Sequence, residues 1–276
     1  MPDGDTERKR PRAASVGLAL GIGLMPKMPL RQLIPNAITA MALCAGLTGM
    51  RMALDGKWEA AVLAVTAAAL LDALDGRVAR YLKGTSRFGA ELDSLSDVVA
   101  FGVAPAMIIY KWSLTEWRGF GWVIALLHAV CCALRLARFN AYIDVADHPH
   151  KRFGFNTGVP APAAAGLTLM PLMLYLWTTS DVFRYPVIVA PVVIAVAFLM
   201  VSNIATYSVS AVRLRQSYRV PGLIGACVLV GLMFTEPFAT LSLVAVGYAA
   251  TIVFSQRSFL KLHNKALSGA ETQAVP

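Results

Sequence analysis

Four aspartates in an apolar part of the sequence are the residues whose types and spacing could do chemistry. The stretch 72–97 reads DALDGRVARYLKGTSRFGAELDSLSD and contains Asp72, Asp75, Asp93 and Asp97. The first two are spaced i,i+3 and the last two i,i+4, so each pair lies on one face of a helix. Because one carboxylate at membrane depth costs about 2.5–3.5 kcal/mol, these four side chains need a compensating partner.

A hard divalent cation is the partner that this pattern favours. Gly76, Ala79 and Gly89 flank the two pairs and let two helices, joined by a short loop, pack closely as an antiparallel hairpin. Four converging carboxylates would repel one another, and all-oxygen ligands favour magnesium, manganese or calcium over zinc. Four carboxylates could hold two ions, and two-metal sites serve phosphoryl transfer, so the pattern indicates a substrate with a diphosphate.

Two other interpretations of the aspartates remain open at this point. Ion pairing with Arg77, Arg80 and Arg87 would neutralise three of them, but it explains neither the paired spacing nor the small residues. A proton- or ion-coupled transporter is the stronger alternative, because carboxylates inside a membrane also mark transport paths.

The elements that must position these residues are transmembrane helices. The 276 residues are 57% hydrophobic and 15% charged, whereas soluble domains contain about 25% charged residues. The composition therefore predicts an all-α, polytopic membrane helix bundle. The net charge of +9 does not indicate a nucleic-acid partner, because the basic residues lie between apolar runs. Eight spans of about 20 residues are predicted, at 35–54, 58–82, 90–111, 119–141, 158–178, 184–208, 219–235 and 238–255.

The distribution of lysine and arginine predicts the orientation of the bundle. If the N terminus is cytoplasmic, most basic residues lie on the cytoplasmic side. The opposite side has only Arg51, Lys57, Lys111, Arg118 and Arg184. Both termini and the aspartate hairpin are therefore expected on the cytoplasmic side of the inner membrane. The apolar run 13–25 is too short to span and lacks a signal-peptide cleavage site, so residues 1–30 are expected to remain as a cytoplasmic or interfacial segment.

The aspartate pattern resembles the signature of the CDP-alcohol phosphatidyltransferase family. Every fixed position of the signature is matched by Asp72-x2-Asp75-Gly76-x2-Ala79-Arg80-x8-Gly89-x3-Asp93-x3-Asp97. The resemblance favours an enzyme over a transporter. It implies a family core of six helices within residues 31–215, followed by two additional transmembrane helices in 216–256 and a cytoplasmic tail, 257–276. It also implies a homodimer whose site opens to the cytosol.

The same resemblance implies a role for each residue of the signature. The four aspartates would bind two divalent ions, magnesium or manganese, with calcium as a third candidate. Asp97 would also act as general base on the acceptor hydroxyl. The CDP-linked lipid would be bound by Pro35, Asn36, Thr39, Asp72, Gly76, Ala79, Arg80 and Ser86. No cysteine nucleophile or serine–histidine pair accompanies the aspartates, so a metal-assisted direct displacement that releases CMP is expected.

Further stretches resemble the membrane-type phosphatidylserine synthases of this family and indicate transfer from CDP-diacylglycerol to L-serine. These stretches are 93–97, 101–106, 135–140 and 158–164. The serine carboxylate suits a guanidinium group, and Arg135, Arg138 and Asn140 are predicted to bind it. The alternative is that both arginines reach toward lipid phosphates. Glycerol phosphate, inositol phosphate and choline remain alternative acceptors.

Overall fold

Helices make up almost all of the described part of the chain. The computed structural model describes residues 29–141, 155–207 and 219–252. The expectations for residues 1–28 and for the tail 257–276 lie outside them. The α-helices are α1 Leu30–Leu54, α2 Trp58–Tyr81, α3 Arg87–Asp97, α4 Ala104–Trp112, α5 Arg118–Ala141, α6 Ala161–Thr178, α7 Pro186–Val201, α8 Arg219–Thr235 and α9 Pro237–Ile252. Single 3-10 turns lie at Leu114–Trp117 and Asp181–Arg184.

The apolar helices confirm the all-α polytopic membrane bundle. Four helical stretches are long and apolar enough to cross a membrane: Leu30–Leu54, Arg87–Trp112, Leu114–Ala141 and Ala161–Thr178. Helices α7, α8 and α9 are apolar but shorter. Helix α2 has 24 residues and carries the first aspartate pair near its C-terminal end.

Helices α1 and α2 form an antiparallel hairpin that packs through small side chains. A Cβ atom on Gly49 would lie 3.1 Å from the Ala61 carbonyl oxygen. Ala61 and Ala68 of α2 are fully buried, and Ala53 of α1 is almost completely buried. Small residues at this interface let the two backbones approach, as helix pairs in membranes require.

The third predicted span contains a π-helical turn, Val98–Val103, between α3 and α4. Pro105 lies in the first turn of α4, and it has no amide hydrogen to donate to the carbonyl four residues earlier. A Cβ atom on Gly46 of α1 would lie 2.7 Å from the Ala100 Cα atom, so this turn packs directly on α1. The π-helical turn begins immediately after Asp97. At this point the backbone hydrogen bonds change from the α-helical to the π-helical pattern.

A short two-stranded ribbon is the one departure from the all-α expectation among the described residues. Strands β1 Phe155–Thr157 and β2 Ala205–Tyr207 pair antiparallel. The amide of Gly158 then donates to the Ile204 carbonyl at 2.8 Å. The sixth predicted span, 184–208, is consequently too long, because α7 ends at Val201 and the chain continues into β2.

Candidate active site

The loop between α2 and α3 is held against the start of α1. Pro35 lies inside α1, so the carbonyl of Arg31 receives no helical hydrogen bond from that position. Gly84 of the loop packs directly on this carbonyl, and a Cβ atom there would clash with it. The missing side chain at Gly84 and the missing amide hydrogen at Pro35 thus bring the loop and the start of α1 together.

The start of α3 is fixed by a helix cap. Ser86 is the N-cap, and its hydroxyl oxygen accepts a hydrogen bond from the Gly89 amide at 3.0 Å. A Cβ atom on Gly89 would lie 2.8 Å from Asn36 Oδ1. Glycine at position 89 therefore allows α3 to approach the polar side chain of α1.

The carboxylates of three aspartates converge between α2 and α3. Asp72, Asp75 and Asp93 each place one oxygen atom within 4.8 Å of the others. Asp97 does not belong to this group of three, although its carboxylate lies within hydrogen-bonding range of that of Asp72. Asp75 is only 5% exposed. The predicted four-residue cluster is thus a trio with Asp97 beside it.

Helix α1 supplies hydrogen bonds that hold the cluster. The hydroxyl of Thr39 donates to Asp75 Oδ2 at 2.6 Å. The hydroxyl of Ser96 in α3 donates to the Thr39 carbonyl at 3.2 Å. Thr39 therefore connects Asp75 of α2 with α3, the helix that carries Asp93 and Asp97. Its hydrogen bond also fixes the orientation of the Asp75 carboxylate.

Replacing Thr39 with valine is expected to lower kcat/KM about 10- to 100-fold, because a hydrogen bond to a charged group contributes about 1.5–3 kcal/mol. Valine keeps the shape of threonine but leaves Asp75 without this donor. Thr48→Val is the matched control, since the Thr48 hydroxyl donates to the Cys44 carbonyl of its own helix. Equal activities of the two variants in a CMP-release assay would contradict the role of Thr39.

A cavity of about 180 Å³ lies beside the aspartate trio. Seven of the eight residues predicted to bind the CDP-linked lipid line it, the exception being Asp72. Those seven are Pro35, Asn36, Thr39, Gly76, Ala79, Arg80 and Ser86. A Cβ atom on Gly76 would meet only the Arg80 guanidinium, at 3.7 Å, so this glycine leaves room in the cavity.

The three residues predicted to bind serine occupy different positions. Arg135 lies close enough to Asp72 and Asp97 for its charge to act on both, and its buried Nε atom has no hydrogen-bond partner in the described segments. Asn140 donates from Nδ2 to the Ser94 hydroxyl at 3.0 Å. The structure thus brings Arg135 to the cluster and places Asn140 against α3.

Arg138 points away from the aspartates toward the end of α7. Its Nη1 atom donates to the Val201 carbonyl at 2.9 Å and to Asn203 Oδ1 at 3.1 Å. Its Nη2 atom donates to the Ser202 carbonyl at 3.3 Å. A cation at a helix C terminus satisfies carbonyls that have no helical partner, so Arg138 joins the ends of α5 and α7.

The donor atoms at the cluster fit a divalent metal ion. All of them are carboxylate oxygens, the ligand type that hard cations prefer. Asp93 Oδ1 is buried and has no hydrogen-bond partner within the described part of the chain. A buried unpaired carboxylate oxygen beside two further carboxylates is the arrangement that a cation would stabilise.

Several residues near the site escaped the sequence analysis. Gly84, Thr85 and Ala90 also line the cavity beside the aspartates. The first two could have been found, because they lie in the short loop that joins the helices carrying the aspartates. Tyr248 of α9 lies close enough to Arg135 to interact with its charge, and no local pattern connects these two residues, which are far apart in the sequence.

Comparison with known proteins gives two family matches. The family described as CDP-alcohol phosphatidyltransferase matches residues 32–201. A second family, described as CDP-alcohol phosphatidyltransferase 2, matches residues 217–252, which include α8 and α9.

Individual relatives cover most of the chain. A CDP-diacylglycerol–serine O-phosphatidyltransferase of Mycobacterium tuberculosis is 38% identical over 232 residues, covering 82% of this chain and 79% of the relative. One of Helicobacter pylori is 34% identical over 221 residues, covering 79% and 88%. An archaetidylserine synthase of Methanothermobacter thermautotrophicus is 35% identical over 176 residues, covering 62% and 68%.

Proposed function

The chain belongs to the CDP-alcohol phosphatidyltransferase family, and we propose that it transfers the phosphatidyl group of CDP-diacylglycerol to the hydroxyl of L-serine, giving phosphatidylserine and CMP. One observation carries the proposal: carboxylate oxygens of three aspartates lie within 4.8 Å of one another, and two of these aspartates, Asp75 and Asp93, line a cavity together with residues expected to bind the nucleotide. Relatives named CDP-diacylglycerol–serine O-phosphatidyltransferase and archaetidylserine synthase support serine as the acceptor alcohol.

The donor lipid binds with its diphosphate between the cavity and the aspartate trio. A divalent metal, magnesium or manganese, would supply positive charge to offset the charge on the phosphoryl oxygens. Asp72, Asp75 and Asp93 would hold that metal, and Asp97 would contribute to holding a second ion. Arg80 lines the cavity and stabilises negative charge on the phosphates, as guanidinium groups do in phosphoryl transfer.

Asp97 acts as the general base. An uncharged hydroxyl is a weak nucleophile and needs a positioned base to take its proton. Asp97 suits this role because it lies next to Asp72 but outside the trio. The serine oxygen attacks the phosphorus of the phosphatidyl group, the bond to the CMP oxygen breaks, and the hydroxyl proton goes to Asp97.

Arg135 binds the carboxylate of serine. Among the described residues its buried Nε atom has no hydrogen-bond partner, and a buried unpaired donor is costly unless a ligand accepts from it. The proximity of Arg135 to Asp97 supports a serine bound next to the base. Asn140 and Arg138 support the acceptor side from the end of α5, Asn140 through Ser94 and Arg138 through the end of α7.

The orientation of the basic residues supports a cytoplasmic site in the inner membrane. Arg77, Arg80, Lys83 and Arg87 lie at the end of the bundle that contains the aspartates, and positive residues accumulate on the cytoplasmic side. Both termini then lie in the cytoplasm. Residues 31–215 form the catalytic core, 216–256 two added helices, and the enzyme is a homodimer, as the family resemblance implies.

Purified protein given CDP-diacylglycerol and manganese is expected to release CMP only when L-serine is added. Glycerol phosphate, inositol phosphate and choline are tested separately as acceptors, and Asp93→Asn serves as the inactive control for a contaminating enzyme. Release of CMP with another alcohol but not with serine would identify that alcohol as the acceptor. No release with any of the four would overturn the proposed transfer reaction.

A further inference from the structure

A histidine that takes no part in the site described above is buried in the middle of α5. His128 is 0% exposed. Its Nε2 atom lies 3.4 Å from the Phe101 carbonyl oxygen, and its Nδ1 atom lies 3.3 Å from Thr168 Oγ1. A carbonyl oxygen only accepts, so Nε2 carries the hydrogen and Nδ1 accepts from the threonine hydroxyl. The neutral imidazole therefore uses both nitrogens.

The carbonyl that His128 contacts belongs to the π-helical turn after Asp97. In an uninterrupted α-helix this carbonyl would accept from the amide four residues later. That position is Pro105, which has no amide hydrogen. The imidazole N–H thus supplies a donor from another helix to a carbonyl whose α-helical partner is missing.

The turn is also packed tightly against α5. A Cβ atom on Gly102 would lie 2.9 Å from the Cys132 Cβ atom, and Cys132 is fully buried one helical turn after His128. Thr168, which holds the other side of the imidazole, belongs to α6 and is also 0% exposed. Helices α5 and α6 therefore hold the turn jointly, through residues outside the aspartate cluster.

The π-helical turn decides the direction in which α3 presents its aspartates. A π-type turn accommodates one more residue than an α-helical turn, and each residue of an α-helix corresponds to a rotation of about 100°. If the turn reverted to a regular α-helix, α3 would rotate relative to α4 by about this angle. Asp93 and Asp97 would then no longer face the aspartates of α2.

We propose that His128 is a positioning residue. Held by Thr168, it fixes the π-helical turn through its hydrogen bond to the Phe101 carbonyl. The fixed turn keeps Asp93 and Asp97 of α3 facing the aspartates of α2. This inference rests on the proposed transfer reaction only for its activity readout. Its chemistry uses the hydrogen-bonding capacity of the imidazole and no titration of that group.

The first test compares two substitutions of His128. Leucine has no donor, whereas the glutamine amide carries one donor and one acceptor and can serve both partners. His128→Leu is expected to lower kcat about 100-fold, because misplacing catalytic groups by about 1 Å has an effect of that size. The KM for CDP-diacylglycerol should change less than about threefold, since α1, α2 and the loop before α3 supply most of the cavity lining. His128→Gln should recover about tenfold of the lost kcat.

The second test uses the other end of the bridge. Thr168→Val should lower kcat and Thr168→Ser should restore it, because serine keeps the hydroxyl. Thr240→Val is the matched control, since Thr240 is 4% exposed and its hydroxyl donates to the Glu236 carbonyl of its own segment. This pair keeps the inference testable if His128→Leu does not fold.

A third measurement does not depend on turnover. Electron paramagnetic resonance of manganese added to the substrate-free protein is expected to show weaker binding in His128→Leu than in the wild type, and stronger binding again in His128→Gln. Unchanged kcat and unchanged manganese binding in both His128→Leu and Thr168→Val would overturn the positioning role. A wild-type protein that releases no CMP but shows these differences in manganese binding would instead overturn the transfer reaction and leave the positioning role intact.

Discussion

Asp97→Asn is expected to lower kcat by about 10²–10⁴-fold, the range that a general base contributes. Asparagine has the size of aspartate but cannot take the proton of the acceptor hydroxyl. The structure gives a reason to expect an effect on turnover more than on binding, because Asp97 lies outside the trio of converging carboxylates. Affinity for the CDP-linked lipid should therefore stay within about tenfold of the wild-type value.

Glu91→Gln is the matched control for Asp97→Asn. Glu91 is an exposed carboxylate on the same helix, so its neutralisation changes the charge of α3 without touching the cluster. Turnover is measured as CMP released with serine, and lipid affinity by displacement of a labelled CDP-lipid. If the Asp97→Asn enzyme keeps more than about a tenth of the wild-type kcat, Asp97 is not the general base.

Asp72→Asn is expected to abolish activity and also to stabilise the metal-free protein. Asp72 is the central member of the cluster, because its carboxylate lies near those of Asp75, Asp93 and Asp97. Like charges that share one site repel, so removing one of them favours the folded state when no cation is present. The same substitution removes a ligand, so added manganese should stabilise the variant much less than the wild type.

Thermal unfolding in detergent, with and without manganese, measures both effects. Treatment with a chelator should lower the Tm of the wild type and abolish its activity, and manganese should restore both. Asp55→Asn is the control, because Asp55 is an exposed carboxylate at the far end of α1. Two results would contradict a metal site shared by Asp72 and the other aspartates. One is a lower Tm of Asp72→Asn than of the wild type in the presence of chelator. The other is a manganese-induced Tm shift in Asp72→Asn as large as that of the wild type.

The lining of the cavity beside the aspartates was predictable because most of its residues lie close together in the sequence. Two helices joined by a short loop carry the aspartates, Gly76, Arg80 and Ser86, so their spacing fixes both the face and the end of the hairpin on which they lie. The periodicity likewise predicted the apolar helices. Local spacing could not show that Asp97 lies beside the trio, since this depends on the rotation of α3 about its axis.

The acceptor side depended on contacts between distant segments. Arg135 and Arg138 are three residues apart on one helix, and the sequence offers both as ligands for a carboxylate. Only the position of α7, whose last carbonyls accept from Arg138, shows that Arg135 is the one that faces the aspartates. The pairing of β1 with β2 is likewise a contact between segments that are distant in the sequence.

The sequence by itself indicated the helical membrane fold, the residues that could carry the chemistry and the end of the helical hairpin at which they lie. These follow from side-chain type, apolar periodicity and spacing along a single helix, all of which are local properties. Only the tertiary structure decided how α3 is rotated, because a missing amide at Pro105 and a donor from His128 on another helix act together on one carbonyl. Such a choice depends on how helices distant in sequence pack, and no local pattern encodes it.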